Sequence, residues 1–263
     1  MKRRTIYAVA IVILSSYTPA TLGGNSALNF NGITGEVTVS SSTGMNLTGA
    51  FTLEAWVWPA QFGGRQDLIY KWSGVDYPDQ RSYYLQVQPD GRIEFALDTT
   101  GQISDGYGLY SSTAIPAGQW TDVAAVYDGT KLALFINGVK EATTVAVPGS
   151  AYAGTSPVRI GSSNSIGGES FDGKIDEVRI SNIARYTSNF ALQQSEFIPD
   201  SNTVLLMHMD EGIGTTTANW GMQGGNGILN SGVSWTDGAP VPEPAALSLL
   251  ALGGLAVIRR RRK

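Results

Sequence analysis

Apolar and polar residues alternate with a period of two through most of this chain. "FTLEAWVWP" puts Phe51, Leu53, Ala55 and Val57 on one side and Thr52, Glu54, Trp56 and Trp58 on the other, the pattern of a strand with one face in a core. "SYYLQVQPDGRIEFALD" is two such runs joined at Pro89-Asp90-Gly91, and "WTDVAAVYDGTKLALFINGVKEATTV" is three, punctuated by Asp128-Gly129 and Asn137-Gly138. Asp-Gly and Asn-Gly between β-rich runs predict hairpins. Further runs span 27–30, 36–39, 68–72, 158–161, 171–181 and 203–210. No long stretch has helical period; at most 188–197 predicts a short helical turn. Gly101–Ser112 and Ser162–Glu169 read as surface loops. Many short strands, with 32 glycines between and within them, predict an all-β fold, an antiparallel two-sheet sandwich or jelly roll, and not a parallel α/β fold.

One run breaks its own pattern. In "KIDEVRI", strict alternation puts Ile175, Glu177 and Arg179 on one face and Asp176, Val178 and Ile180 on the other. That sets the Asp176 carboxylate among core residues, where an unpaired charge is costly. Asp176 therefore needs a partner.

The two ends differ from the body. Lys2, Arg3 and Arg4 precede an apolar stretch, Ile6 to Leu14, and then Thr18-Pro19-Ala20. This predicts a secretory signal peptide over residues 1–24. Residues 241–263 carry Pro242-Glu243-Pro244, a 14-residue apolar segment (Ala245 to Ile258) predicted as a helix, and the basic cluster Arg259 to Lys263. The segment is short for a permanent span. Of 18 basic residues, three lie in the first segment and five in the last, and of 22 acidic residues only Glu243 does. The body, residues 25–240, thus holds ten basic and 21 acidic residues, a net charge of −11 where the whole chain has −4. Such a surface disfavours nucleic acid and anionic lipid, so contact with a membrane is expected only through the terminal segments. The body has the length of one sizeable core. With no cysteine in the chain, that core or a metal must stabilise it.

The chemistry is restricted too. His208 is the single histidine, which leaves no zinc cluster, and its alternating run reads as a strand. Asp176-Glu177 and Asp210-Glu211 are carboxylate doublets, but neighbours on a strand point to opposite faces and cannot flank one glycosidic bond. The chain is read as not an enzyme. Aromatic residues near glycine-rich loops, Trp72, Tyr83, Tyr84, Tyr107 and Tyr110, are candidates for a sugar platform; of these Trp72, Tyr84, Tyr107 and Tyr110 are the ligand-binding set.

Three segments in order, "ALNFNG" with "FTLEAWVWP", "GQWTDVAAVYDGTKLALFINGV" and "FDGKIDEVRISNIARY", resemble the laminin-G-like, concanavalin A-like jelly-roll family. "LLMHMDEGIGTTTANWGMQGGNGILNSGVSW" resembles a block that relatives carry before the first strand; here it stands at the end, as if the body were circularly permuted. Asn31 stands where many relatives have Asp, and Met207 where they often have Trp. The resemblance implies a calcium ion at a sheet rim, held by Asp176, Asn31 and the Gly32 carbonyl; the alternative partners of Asp176 are loop N–H groups, Arg159 or Arg179. The order Pro-Glu-Pro, apolar segment, arginine cluster resembles the PEP-CTERM sorting signal of Gram-negative bacteria. It implies an exosortase-type processing enzyme as partner and an address at the envelope, cell surface or extracellular matrix. Together these imply a non-catalytic binding or adhesion module for extracellular polysaccharide, with a purely structural surface protein or a glycoside-acting enzyme as alternatives.

Overall fold

A computed structural model of the protein describes residues 25–73, 80–102, 106–163, 169–193 and 195–240. The expected signal peptide, residues 1–24, and the tail with Pro242, Glu243 and Pro244 lie outside the described residues. Two antiparallel sheets form a sandwich. Sheet I runs in the order β10 (Val139–Lys140), β9 (Lys131–Ile136), β8 (Thr121–Tyr127), β3 (Phe51–Pro59), β13 (Asp172–Ser181), β1 (Ser26–Asn31) and β17 (Val233–Asp237). β11 (Val145–Ala146) also pairs with β9, and β14 (Thr203–Met207) with β13. Sheet II runs β15 (Thr216–Thr217), β16 (Gly227–Leu229), β2 (Val37–Val39), β12 (Val158–Ile160), β4 (Gln66–Lys71), β5 (Tyr83–Val87), β6 (Arg92–Asp98) and β7 (Gly106–Ala114). β7 falls within a stretch whose glycines and serines predicted a loop. Its pairing with β6, where Leu109 lies opposite Phe95 in the core, makes it a strand.

The core lies between the sheets and is built by alternation. Phe51, Leu53, Ala55 and Val57 of β3 face Leu85, Val87, Ile93, Phe95 and Leu97 of sheet II, all fully buried. The Phe51 ring packs against Tyr83, Phe95 and Tyr127 at 5.2–5.9 Å. The late block of the sequence belongs to this same unit. β14 and β17 enter sheet I, β15 and β16 enter sheet II, and Trp235 pairs with Leu28.

β13 explains the broken alternation. Asp176 lies opposite Trp56 and Arg179 opposite Glu54, so β13 spends three steps where β3 spends two. Glu177 takes φ 51°, and the extra residue is a β-bulge that resets the side-chain phase. Ile175, Val178 and Ile180 consequently all join the core. Asp176 and Arg179 take the outer face instead, sharing it with Trp56 and Glu54. Asp176 is therefore not in line with Val178 and Ile180, as strict alternation had it. β1 and β14 share one edge of β13 end to end: β1 pairs Asp172 to Ile175, β14 pairs Val178 to Ser181, and the bulge falls between.

The described residues 182–193 and 195–200 cross the outer face of sheet I as a strap, with no helical turn among them. Tyr186 and Phe190 stack at 3.6 Å and pack on Ala124, Ala133 and Phe135, while Leu192 and Phe197 pack with Trp56, Leu206 and Ala239. Burial of these spaced apolar side chains holds the segment extended where a short helix was expected.

Candidate functional site

The outer face of sheet II is different. Among the described residues no apolar cluster covers it. Alternation along β5 sends Tyr83, Leu85 and Val87 inward and Tyr84 and Gln86 outward; along β6 it sends Glu94 and Ala96 outward. Cross-strand register lines up Tyr70, Tyr84 and Ala96 in one row and Gln86, Glu94 and Tyr110 in the next. The Tyr70 and Tyr84 rings stack at 5.9 Å and 21°, and Trp72 meets Tyr84 edge-on at 5.0 Å. The Arg81 guanidinium lies 5.9 Å over Trp72, and that of Arg92 5.7 Å over Tyr110.

Glu94 is the polar centre. Its carboxylate accepts from the Tyr84 hydroxyl (2.9 Å), from Gln88 Nε2 (2.6 Å) and from Gln86 Nε2. Burial, then the Glu94 charge, raises the Tyr84 phenol well above its ordinary range, and the same two causes raise Tyr110. Both hydroxyls are protonated donors at neutral pH. Small residues keep the surface accessible: a Cβ at Gly108 would come within 3.3 Å of Glu94 Oε1, and one at Gly106 within 3.2 Å of the Trp72 ring. Asp67, opposite Gln86, is fully buried beside this face. Burial, then the charge of Glu169, raises its carboxyl well above the usual range.

Of the sequence candidates, Trp72, Tyr84 and Tyr110 come together on this face. Tyr107 does not: it pairs with Leu97 and packs against the core, because it sits three residues from Tyr110 in regular pairing, and an odd spacing along a strand points to the opposite face. Tyr83 is wholly in the core. Sequence reading missed Tyr70, Gln86, Gln88 and Glu94. The signal was present in "SYYLQVQPDGRIEFALD", where Tyr84, Gln86 and Gln88 share one parity and the hairpin brings Glu94 beside them.

The residues predicted to hold calcium do not form one site. Asn31 lies opposite Asp172, four residues from Asp176 along β13, a separation of about 13 Å. Asn31 Oδ1 accepts the N–H groups of Ile33, Thr34 and Gly35 at 2.9–3.0 Å. Gly32 continues that turn, at φ 69°, against the Asp172 side chain. Asp176 accepts the Glu177 N–H at 2.9 Å and the Ala239 N–H at 2.8 Å. Loop N–H groups are thus its partners. Arg159 pairs instead with Glu36 at 3.4 Å, and Arg179 with Glu54 at 2.7 Å. Among the described residues, no three His, Cys, Asp or Glu are grouped to hold a metal. His208 Nδ1 lies 2.7 Å from Glu177 Oε1, and Glu177 Oε2 accepts the Phe197 N–H of the strap. Burial would lower the imidazole pKa, but Glu177, with the charges of Glu196 and Asp210, outweighs it and raises it. That pairing gives His208 a place in holding the strap.

The two sheets define a jelly-roll sandwich of the lectin class. Residues 31–189 match the family model of the concanavalin A-like lectin/glucanases superfamily, the third laminin-G type, and the chain belongs to that family. Residues 240–263 match the PEP-CTERM protein-sorting motif, which implies export to the cell surface or envelope. No curated protein matches the sequence. Among solved structures, a candidate carbohydrate-binding protein from Bacteroides ovatus is similar over 85% of this chain, with TM-score 0.65 and 19% identity. The match spans 63% of that protein's length. A heptameric SAP-like pentraxin from Limulus polyphemus is similar over 82% of this chain and 97% of its own, with TM-score 0.55 and 18% identity.

Proposed function

We propose that this protein is an exported, non-catalytic glycan-binding module whose contact surface is the aromatic face of sheet II. The observation that carries this reading is the cluster of Trp72, Tyr84, Tyr70 and Tyr110 around the single carboxylate of Glu94. Flat rings stack on the apolar faces of sugar rings, and a fixed acceptor with hydroxyl and amide donors around it orients sugar hydroxyls. The acidic body favours an uncharged polysaccharide over an anionic one. Glu94 is engaged by three donors, and Glu169 by Arg65 at 3.1 Å and by Ser163. These contacts fix both carboxylates in place as acceptors, which supports a role in binding. The tail is the substrate of an exosortase-type enzyme in this reading.

A glycan array probed with the exported protein tests the proposal. Binding to one class of neutral glycan is expected, and Trp72→Ala should weaken it about 30-fold or more, the range of a central aromatic contact. Binding that survives Trp72→Ala and Tyr84→Ala at full strength would place the contact surface elsewhere.

A further inference from the structure

The end of the folded body has a defined seat. Ala239 is fully buried on the outer face of sheet I, beside Trp56 and Phe197. Its N–H donates to Asp176 Oδ2 at 2.8 Å, and its carbonyl accepts from Asn25 Nδ2. One residue earlier, the Gly238 N–H donates to the Asn25 carbonyl at 3.0 Å. The chain is therefore fixed to the middle of β13, at the bulge, three residues before Pro242. The described chain thus ends on the strap side of the sandwich, and the aromatic face lies on the opposite side.

We propose that, while the tail is intact, the strap-covered face of sheet I lies against the membrane and the aromatic face of sheet II points away from it. The partner surface is the bilayer into which the apolar segment of this same chain inserts, and tail length decides the orientation. Five residues, hence six Cα–Cα steps, separate Ala239 from Ala245, the start of that segment, so the tether reaches at most about 20 Å. To turn sheet II toward the same bilayer, the tether must clear β1 and β17, about 10 Å, and then the gap between sheets, about 10 Å more. That uses the whole tether before any side chain on either face is counted. On the strap side the exposed side chain of Ile198, 73% accessible, lines one cavity with Arg179 and Tyr186 and is placed to meet the interface. Asp176 is the positioning residue of this arrangement, because it holds the root of the tail to the domain.

The chain has no cysteine, so single labels are clean. Ile198→Cys marks the strap side, and Ile228→Cys marks the outer face of sheet II, where Ile228 is 59% exposed opposite Thr38. Each full-length variant carries an environment-sensitive fluorophore and is reconstituted into phosphatidylcholine vesicles containing lipid spin-labelled at the head group, a contact quencher. Quenching is expected to be several-fold stronger at position 198 than at 228. Equal quenching at the two positions, whether strong or absent, or stronger quenching at 228, would overturn the orientation. In the Asp176→Ala background the difference should shrink, because the root is released. If that variant does not fold, the two single-cysteine proteins decide the question without it. The inference rests on the proposed function only for its purpose, the outward presentation of a binding face. A protein that binds no glycan but shows the expected quenching would refute the earlier reading alone.

Discussion

The two outer faces of the sandwich come from the same alternation and end in opposite conditions. On sheet I the outward residues of β3 and β13 are roofed by the strap, and their polar groups answer each other. Arg179 is bidentate on Glu54 at 2.7 and 3.0 Å, Tyr186 donates to Glu54 at 2.6 Å, and Arg185 is bidentate on Asp200 at 2.7 and 3.0 Å. The Arg179 guanidinium also lies 4.1 Å over Phe197. On sheet II the outward rings stay accessible, with Tyr110 44% exposed against 9% for Trp56, and their polar groups gather around one acceptor. Composition does not separate the faces, because both hold aromatics, arginines and carboxylates. What separates them is the cover. A polar network closed under a strap is architecture; rings and donors arranged around one carboxylate with no strap across them form a surface for something else.

The contrast can be broken from either side. The largest effect is expected from Arg179→Ala, which removes the bidentate partner of buried Glu54 and leaves it only the Tyr186 hydroxyl and Arg185 at 3.9 Å. Urea unfolding should show a loss of about 3–5 kcal/mol, and a loss under about 1 kcal/mol would mean that the roof is not integral. Next comes Asp176→Ala, which strands the N–H groups of Glu177 and Ala239 in a buried site. A loss of about 2 kcal/mol is expected, measured the same way.

A third prediction concerns pH. Burial, then the charge of Glu54, pushes Asp122 up to about 8. The folded protein therefore holds a proton that the unfolded chain releases above about 4. This contribution is present at low pH and is lost as pH rises between about 4 and about 8. Asp122→Asn should match wild type near the acid end and exceed it at pH 8 by on the order of 1 kcal/mol, read from melting curves across that range. A variant that loses stability equally at both ends would show that the carboxylate is ionised and paired.

On sheet II the effects on stability are smaller. Trp72→Ala should cost less than about 1 kcal/mol while removing glycan binding, whereas Trp56→Ala, under the strap, should cost about 3 kcal/mol or more. The smallest effect concerns calcium. Asp176→Asn is expected to leave the response of the melting temperature to calcium and chelator unchanged, since Asp176 stands about 13 Å from Asn31.

The strands and their hairpins were legible because each run buries one face, and burial writes a period of two into the sequence. "FTLEAWVWP" is inward and outward residue by residue as read. The bulge was not legible, because strict alternation assumes no inserted residue, and only Glu177 in a left-handed conformation reveals one. That single residue reversed the expected side of Asp176. The aromatic face was half legible. Trp72, Tyr84 and Tyr110 drew notice as aromatics beside glycines, but Glu94 looked like any outward glutamate until register set Tyr84, Gln86 and Gln88 around it. Tyr107 shows the reverse failure: three residues from Tyr110 on one regularly paired strand, it faces the core while Tyr110 faces out, a split that reading by closeness to glycines ignores.

The end-to-end meeting of β1 and β14 along β13 also sets a timetable. Ser26 to Asn31 have two sheet partners, Asp172 to Ile175 and Val233 to Asp237. Both are made late. At about 5–20 residues per second, a chain growing from its N-terminus waits about 10–40 s between completing β1 and completing β17. For about the first 7–30 s of that interval, until β13 is made, the first strand, with Leu28 and Phe30 destined for the core, has nothing to pair with inside its own molecule, and its other edge stays open until β17 is made. An unpaired apolar strand is a template for other chains. The sandwich therefore closes only when its last strand arrives, five residues before the sorting motif, and the newborn protein must be kept from its neighbours until then.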